Sequence, residues 1–371
     1  MELSTGQTVL GEREYEVWAD DSYPPYILMV LRDEGEPPTF KIINPLEQNK
    51  VRFSSNNYDE IVWWLNEDEF SRVEGRTKIL EWWEQPTHIR SIEMAKAEPK
   101  VQDAEQSNGK LVQYHAGEGI ALLTLNDPPA NTYSYEMMQE LDRAILAARM
   151  DEAVHVIVIT GQGEKFFCAG ADIAMLNNVT PTFKYYFCLH ANETLSRLEQ
   201  TPKLVIAAIN GHCVGGGLEV AMAADLRIAR RNAGKMGLPE VSLGVLPGTG
   251  GTQRLVRIVG KSRAIELMAT GELFAFDKAH ELGLINNIYD ADNGASFSEQ
   301  VMAYAQQFTP PNKAAHAVGR IKRAVQTGAE IPFESALALE RELQQQLFQS
   351  EDAREGLDAY ANKRQAQFKG R

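Results

Sequence analysis

The sequence predicts an α/β protein with a separate small α+β module at its N-terminus. Three observations carry that prediction. From Leu111 onward, short apolar runs alternate with segments of helical period. One such run, Leu204-Val205-Ile206-Ala207-Ala208-Ile209, leads through Gly215-Gly216-Gly217 into Leu218-Glu219-Val220-Ala221-Met222, as a buried strand turning into a helix would. Before residue 100 the composition differs: all five tryptophans (Trp18, Trp63, Trp64, Trp82, Trp83) lie there, with most of the excess negative charge.

In chain order, residues 26–31 and 39–43 read as strands joined by the turn-rich 33–38, and 51–53 as a third. Residues 57–65 start like a helix with Asn57 as cap. These elements make 1–93 a small α+β accessory domain, its tryptophans read as core before binding surface. Residues 94–109 are rich in Ala, Glu, Lys, Gln and Ser without apolar period, and read as a linker. The core is set at 110–305. Its first clear strand, 120–125, ends at Asn126-Asp127-Pro128-Pro129. A helix follows from about Tyr135, with Met138, Leu141, Ile145 and Ala148 at helical spacing. Strands at 154–160 and 166–167 flank Gly161-Gln162-Gly163, and helical sequence at 183–200 precedes the strand at 204–209. Strands at 226–229 and 235–237 follow the glycine turn, then helices at 261–268 and 279–285, the second stopped by Gly283. The tail, 306–371, is helical, with helices at 312–325 and 333–348 and a last one capped by Ser350.

Bulk properties exclude several classes. With 371 residues there is room for two or three domains and a sizeable core. A net charge of −14 argues against a phosphate-tracking nucleic-acid binder. Cys168, Cys188 and Cys213 imply no disulfide framework and a reducing compartment; Cys168 and Cys213 fall on core strands, as small hydrophobes. The first six residues show no secretory pattern, and no run approaches the roughly 20 apolar residues of a membrane span. A cytoplasmic protein without membrane contact is expected.

Chemistry concentrates in three segments. Three glycines at a helix start let a ligand reach backbone N–H groups whose unsatisfied donors favour negative charge. Glu219 puts a carboxylate beside that notch. Phe166-Phe167-Cys168-Ala169-Gly170-Ala171-Asp172-Ile173 offers a second exposed N–H. Gly237-Leu238-Pro239-Glu240, ahead of the glycine-rich Gly248-Thr249-Gly250-Gly251, supplies a second carboxylate. In order and spacing these segments resemble the signature of the crotonase (enoyl-CoA hydratase/isomerase) superfamily, from about Lys110 to the C-terminus.

The resemblance implies a crotonase-like spiral of ββα units with a C-terminal helical oligomerisation region, and a homotrimer or hexamer built through those helices. It implies an acyl-CoA substrate, with coenzyme A entering as part of the substrate and no separate cofactor or metal. The N–H groups of Ala171 and Gly216 become the oxyanion hole. Glu219 takes a proton from water and Glu240 delivers one to Cα. Ala169, Gly170, Asp172, Ile173, Gly215, Gly248 and Lys363 become substrate contacts. In one place the pattern is broken: Ala174 stands where many family members carry a lysine for coenzyme A.

Hydration of an α,β-unsaturated thioester needs two things. Charge on the thioester oxygen must be stabilised, and protons must move at the water and at Cα. Isomerases of this superfamily can work with one glutamate, at the Glu240 position; glutamate at both places favours a hydratase. An isomerase, a hydratase for thioesters on an acyl carrier protein, and a scaffold acting through a protein partner of the N-terminal domain stand as alternatives. Residues 182–190 are candidates for lining the acyl pocket. His212 and Asp225 read as structural, and Asp172 also as a helix cap. Gly248-Thr249-Gly250-Gly251 lacks the Gly-Lys-Ser/Thr of a P-loop, Gly211 to Gly217 is not a dinucleotide fingerprint, and no cluster has metal-ligand spacing.

Overall fold

The computed structural model describes residues 9–10, 13–19, 27–33, 37–44, 50–67, 71–72 and 109–371. Contacts divide the chain into two compact units, Met1–Lys96 and Ala97–Arg371. The expected linker lies, except for Gly109, outside the described residues.

In the first unit, β1 (Val9–Leu10), β2 (Arg13–Ala19), β3 (Ile27–Asp33), β4 (Thr39–Asn44) and β5 (Lys50–Ser55) form an antiparallel sheet in sequence order. Helix α1 (Tyr58–Glu67) follows, and β6 (Ser71–Arg72) also pairs with β2. Leu28, Val30 and Ile42 bury against Ile61 and Leu65 of α1. Asn57 caps that helix, its Oδ1 accepting from the Asp59 N–H at 3.0 Å. Trp64 stacks on Phe53 at 5.9 Å beside this core, but Trp63 is 63% exposed, so the core reading holds for only one of the pair. The side chains of the other three tryptophans lie outside the described residues.

The second unit runs β7 (Val112–Gly117), β8 (Ile120–Leu125), α2 (Tyr135–Met150), β9 (Val156–Gly161), β10 (Phe166–Cys168), α3 (Ile173–Asn178), α4 (Pro181–Gln200), β11 (Leu204–Ile209), β12 (His212–Val214), α5 (Gly216–Met222), β13 (Leu226–Arg230) and β14 (Lys235–Gly237). A 3₁₀ turn at Glu240–Leu243 precedes α6 (Gly251–Val259), α7 (Lys261–Thr270), β15 (Phe274–Ala275), α8 (Phe276–Glu281), β16 (Asn287–Tyr289), α9 (Gly294–Gln306), α10 (Ala315–Gly328), α11 (Phe333–Phe348) and α12 (Glu351–Ala361). One sheet has the order β16-β13-β11-β9-β8-β7, parallel except for β7 against β8. A second has the order β10-β12-β14-β15. Strands β9, β11 and β13 of the first sheet are each followed by one of the second, then by helical structure. This is the ββα repeat, and its unequal insertions hide the period in the sequence.

Strand β11 shows why its sequence is a continuous apolar run. Val205, Ala207 and Ile209 face the large core with α2, α4 and α5, while Leu204, Ile206 and Ala208 face Phe297 and Val301 of α9. A parallel strand buried on both faces has no polar side to alternate. Each fully buried Val, Leu or Ile contributes about 1.5–3 kcal/mol. Asp225 and His212 are structural as expected. The Asp225 carboxylate accepts from the Val205 N–H at 2.7 Å and pairs with the buried Lys322 at 2.9 Å. His212 Nδ1 accepts from the Lys235 N–H at 3.1 Å.

Three helical assignments differ from expectation. Helix α9 was hidden in a polar stretch, yet it has a capping box at Asn293 and Ser296 and buries Phe297, Val301 and Ala305 at four-residue spacing. Helix α6 begins inside the glycine-rich loop and buries Leu255. The helix expected at 279–285 starts earlier, at Phe276–Glu281, and ends ahead of Gly283, φ 74°, the residue expected to stop it. Among the described residues no helix is long and apolar enough to cross a membrane.

Candidate active site

The glycine turn sits where the two sheets meet. The Gly215 N–H donates to the Gly237 carbonyl at 2.8 Å, which ties the turn to the end of β14. Gly170, φ 97°, passes so close that a Cβ there would lie 3.1 Å from the Gly216 nitrogen. Tyr133 brackets Ala171: its N–H donates to Gly170 O at 2.9 Å and its carbonyl accepts from the Asp172 N–H at 3.1 Å. That leaves the Ala171 N–H without an acceptor among the described residues, and the Gly216 N–H, first in α5, is equally free. Both face a cavity of about 340 Å³.

Two carboxylates line that cavity, and they are held differently. Glu219, in the first turn of α5, is only 2% exposed. Its Oε1 accepts from the Thr249 N–H at 2.8 Å and the Gly251 N–H at 2.7 Å, and its Oε2 accepts from the Thr249 hydroxyl. The Thr249 hydroxyl proton is thereby committed to Glu219. The Tyr133 hydroxyl, 3.1 Å from Thr249 Oγ1, must then donate to it. Burial, and next the Glu219 charge, push the Tyr133 phenol well above its ordinary value, so it stays a neutral donor.

Glu240 opens the 3₁₀ turn. Its Oε2 is buried with no hydrogen-bond partner, and a Cβ at Gly215 would lie 2.9 Å from its Oε1. Burial pushes its carboxyl up to about 7. Its own backbone N–H opposes that shift, the Glu219 charge adds to it, and Lys184 opposes it. One carboxylate is therefore wrapped in donors, and the other can carry a proton near neutrality.

The cavity brings together Ala169, Gly170, Ala171, Ile173, Gly215, Gly216, Glu219, Glu240 and Gly248. Two residues from the sequence reading lie elsewhere. Asp172 turns its carboxylate to the start of α3, accepting from the N–H groups of Ala174 at 2.8 Å and Met175 at 3.3 Å; it is the cap. Lys363 follows α12, exposed, at φ 53°, and does not line the cavity. Sequence reasoning passed over Tyr133 and Thr249, both of which line the cavity, while of the candidate stretch 182–190 Lys184 is the residue that lines it. Thr249 carried one signal, a lone hydroxyl among glycines. Tyr133 carried none, since its partners lie 37 to 116 positions away.

An α/β spiral with two free N–H groups and two carboxylates around one cavity defines a protein that can stabilise an oxyanion while moving protons beside it. Residues 115–371 match the enoyl-CoA hydratase/isomerase family model. The chain belongs to that family. A Bacillus subtilis (strain 168) protein described as a probable enoyl-CoA hydratase is 38% identical over 252 residues, covering 68% of this chain and 95% of the relative. The short-chain-enoyl-CoA hydratase of Clostridium acetobutylicum is 36% identical over 254 residues, with the same coverage. Among solved structures, an enoyl-CoA hydratase from Geobacillus kaustophilus HTA426 shares 44% identity at a TM-score of 0.68, covering 71% of this chain and 98% of its own. An enoyl-CoA hydratase from Bacillus anthracis matches at 31% and 0.66, covering 71% of this chain and all of its own.

Proposed function

We propose that the chain adds water across the double bond of an α,β-unsaturated acyl-CoA. The observation that carries this reading is the pair of unlike carboxylates beside two unoccupied N–H donors. The thioester oxygen accepts from the Ala171 and Gly216 N–H groups, which stabilise the enolate that forms as water attacks Cβ; losing one such donor typically costs about 10²–10³ in rate. Glu219, an acceptor on both oxygens, takes the proton from the attacking water. Glu240, able to be protonated near neutrality, delivers a proton to Cα. Thr249 and Tyr133 hold the Glu219 carboxylate in place. Ala169, Gly170, Ile173, Gly215 and Gly248 shape the wall around the thioester; Asp172 acts through the backbone as a cap, and Lys363 is proposed as a contact to coenzyme A only across an assembly of subunits. A homotrimer or hexamer in the cytoplasm, with coenzyme A arriving only as part of the substrate, completes the reading.

The test is hydration of crotonyl-CoA and longer enoyl-CoAs, followed by loss of the absorbance of the conjugated thioester. Turnover lowered by orders of magnitude by Glu219→Gln and by Glu240→Gln is expected. Migration of the double bond without uptake of water would favour the isomerase reading instead.

A further inference from the structure

Lys184 is a cation on the wall of this cavity, within electrostatic reach of Glu240 but in no ion pair among the described residues. It stands near the start of α4, half-buried, and lines the cavity together with Glu240. Its ammonium lies 5.2 Å from the centroid of the Phe187 ring, and Phe187 is buried against Tyr133 at 5.8 Å. The lysine therefore reaches along the inner face of its helix. It forms no ion pair among the described residues. Glu240 is the carboxylate it influences, yet the buried oxygen of that group has no hydrogen-bond partner. Around it the wall is apolar: Ile173, Leu176, Val179, Leu243 and Leu246. Among the described residues, the ammonium is thus the one cation beside an otherwise apolar stretch of the cavity wall.

We propose that Lys184 selects substrates by the far end of the acyl group: the cavity takes enoyl thioesters whose acyl chain carries a second, terminal carboxylate. This inference rests on reading the cavity as the thioester site. The phosphates of coenzyme A are separated from the thioester by the pantetheine arm, so an anion that meets a lysine inside the thioester cavity belongs to the acyl group. A lysine suits the task as a compact charge on a flexible stem, able to follow chains of different length.

Binding separates the possibilities without requiring turnover. The affinities of adipyl-CoA, hexanoyl-CoA and free coenzyme A are measured by calorimetry for the full-length chain and for Lys184→Gln and Lys184→Glu, with melting curves to confirm folding. The wild-type chain should prefer adipyl-CoA over hexanoyl-CoA. Lys184→Gln should cut that preference about 10–100-fold, the range of one charge-assisted hydrogen bond, and Lys184→Glu should reverse it. An unchanged adipyl-to-hexanoyl ratio overturns the proposal. So does equal weakening of all three ligands, which would assign the lysine to the phosphates. Failure to hydrate any enoyl-CoA while the ratio still shifts would strike the hydratase reading and leave the assignment of Lys184 standing.

Discussion

The two walls of the cavity hold the same functional group under opposite conditions. On the Glu219 wall, a helix start and a glycine-rich loop converge, and three donors close on one carboxylate. On the Glu240 wall, a short 3₁₀ turn exposes a carboxyl to an apolar cavity and leaves one oxygen unpartnered. The difference teaches that two identical side chains need not share a role. Glu219 is fixed as an acceptor by three donors, whereas burial pushes the Glu240 carboxyl up despite its own backbone N–H.

The largest expected effect comes from removing each carboxylate in turn. Glu219→Gln and Glu240→Gln should each lower hydration by about 10²–10⁴, the span of a lost general acid or base. Their stabilities should diverge. Glu219→Gln sets an amide N–H₂ against donors and should cost about 1–3 kcal/mol, whereas Glu240→Gln leaves an already unpartnered group and should hardly move the melting temperature. Equal melting shifts for the two would erase the contrast between the walls. Gly216→Ala strikes between them, because a Cβ there would overlap the Tyr133 ring. A rate loss of about 10²–10³, accompanied by a lower melting temperature, is expected; a simple block of the thioester oxygen would cost activity alone, so calorimetric melting separates the two.

Thr249→Val removes the hydroxyl but keeps the backbone N–H. It should cost about tenfold in kcat, equivalent to one net hydrogen bond of about 1.4 kcal/mol, and Thr249→Ser should restore most of it. The pH profile reports the other wall. In the proposed mechanism Glu240 carries the proton it delivers, and burial pushes its carboxyl up to about 7. The value of kcat/KM should hold below that pH and fall above it, and Glu240→Gln should remove this limb from the residual activity. Lys184 opposes the upward shift, so Lys184→Gln should move the limb to higher pH; a shift downward would contradict the electrostatics.

The smallest effect is expected from the N-terminal hundred residues. Both walls lie within the unit Ala97–Arg371. A chain beginning near Asn108 should keep its oligomeric state and its hydration rate within a few-fold. It would lose all tryptophan emission, since all five tryptophans precede residue 100. An insoluble or inactive product would show that the catalytic unit depends on the first.

Much of this molecule could be read from the chain alone because its signals are local. Strand β11, its glycine turn and the Ser350 cap of α12 are written in consecutive residues. So were both carboxylates and both N–H donors, which sit on motifs of a few residues each. What stayed hidden depends on tertiary closure. The ββα period is blurred by insertions; α9, by contrast, carries local signals that sequence reasoning missed, an Asn293 cap and Phe297, Val301 and Ala305 at four-residue spacing. Thr249 becomes a partner of Glu219 only when residues thirty positions apart meet. Lys184 lies within the stretch 182–190 read as pocket lining, but which of those residues faces the cavity is decided by how α4 packs.

Tyr133 gives the site one more property. Its backbone grips the chain on either side of Ala171, and its ring rests on the face of Gly216. A single side chain thus acts as a spacer gauge between the two N–H donors, setting the gap an oxygen must fit. Its hydroxyl ends in the chain that steadies Glu219. In the proposed mechanism the spacing of the two N–H donors and the aim of Glu219 are therefore two settings of one part.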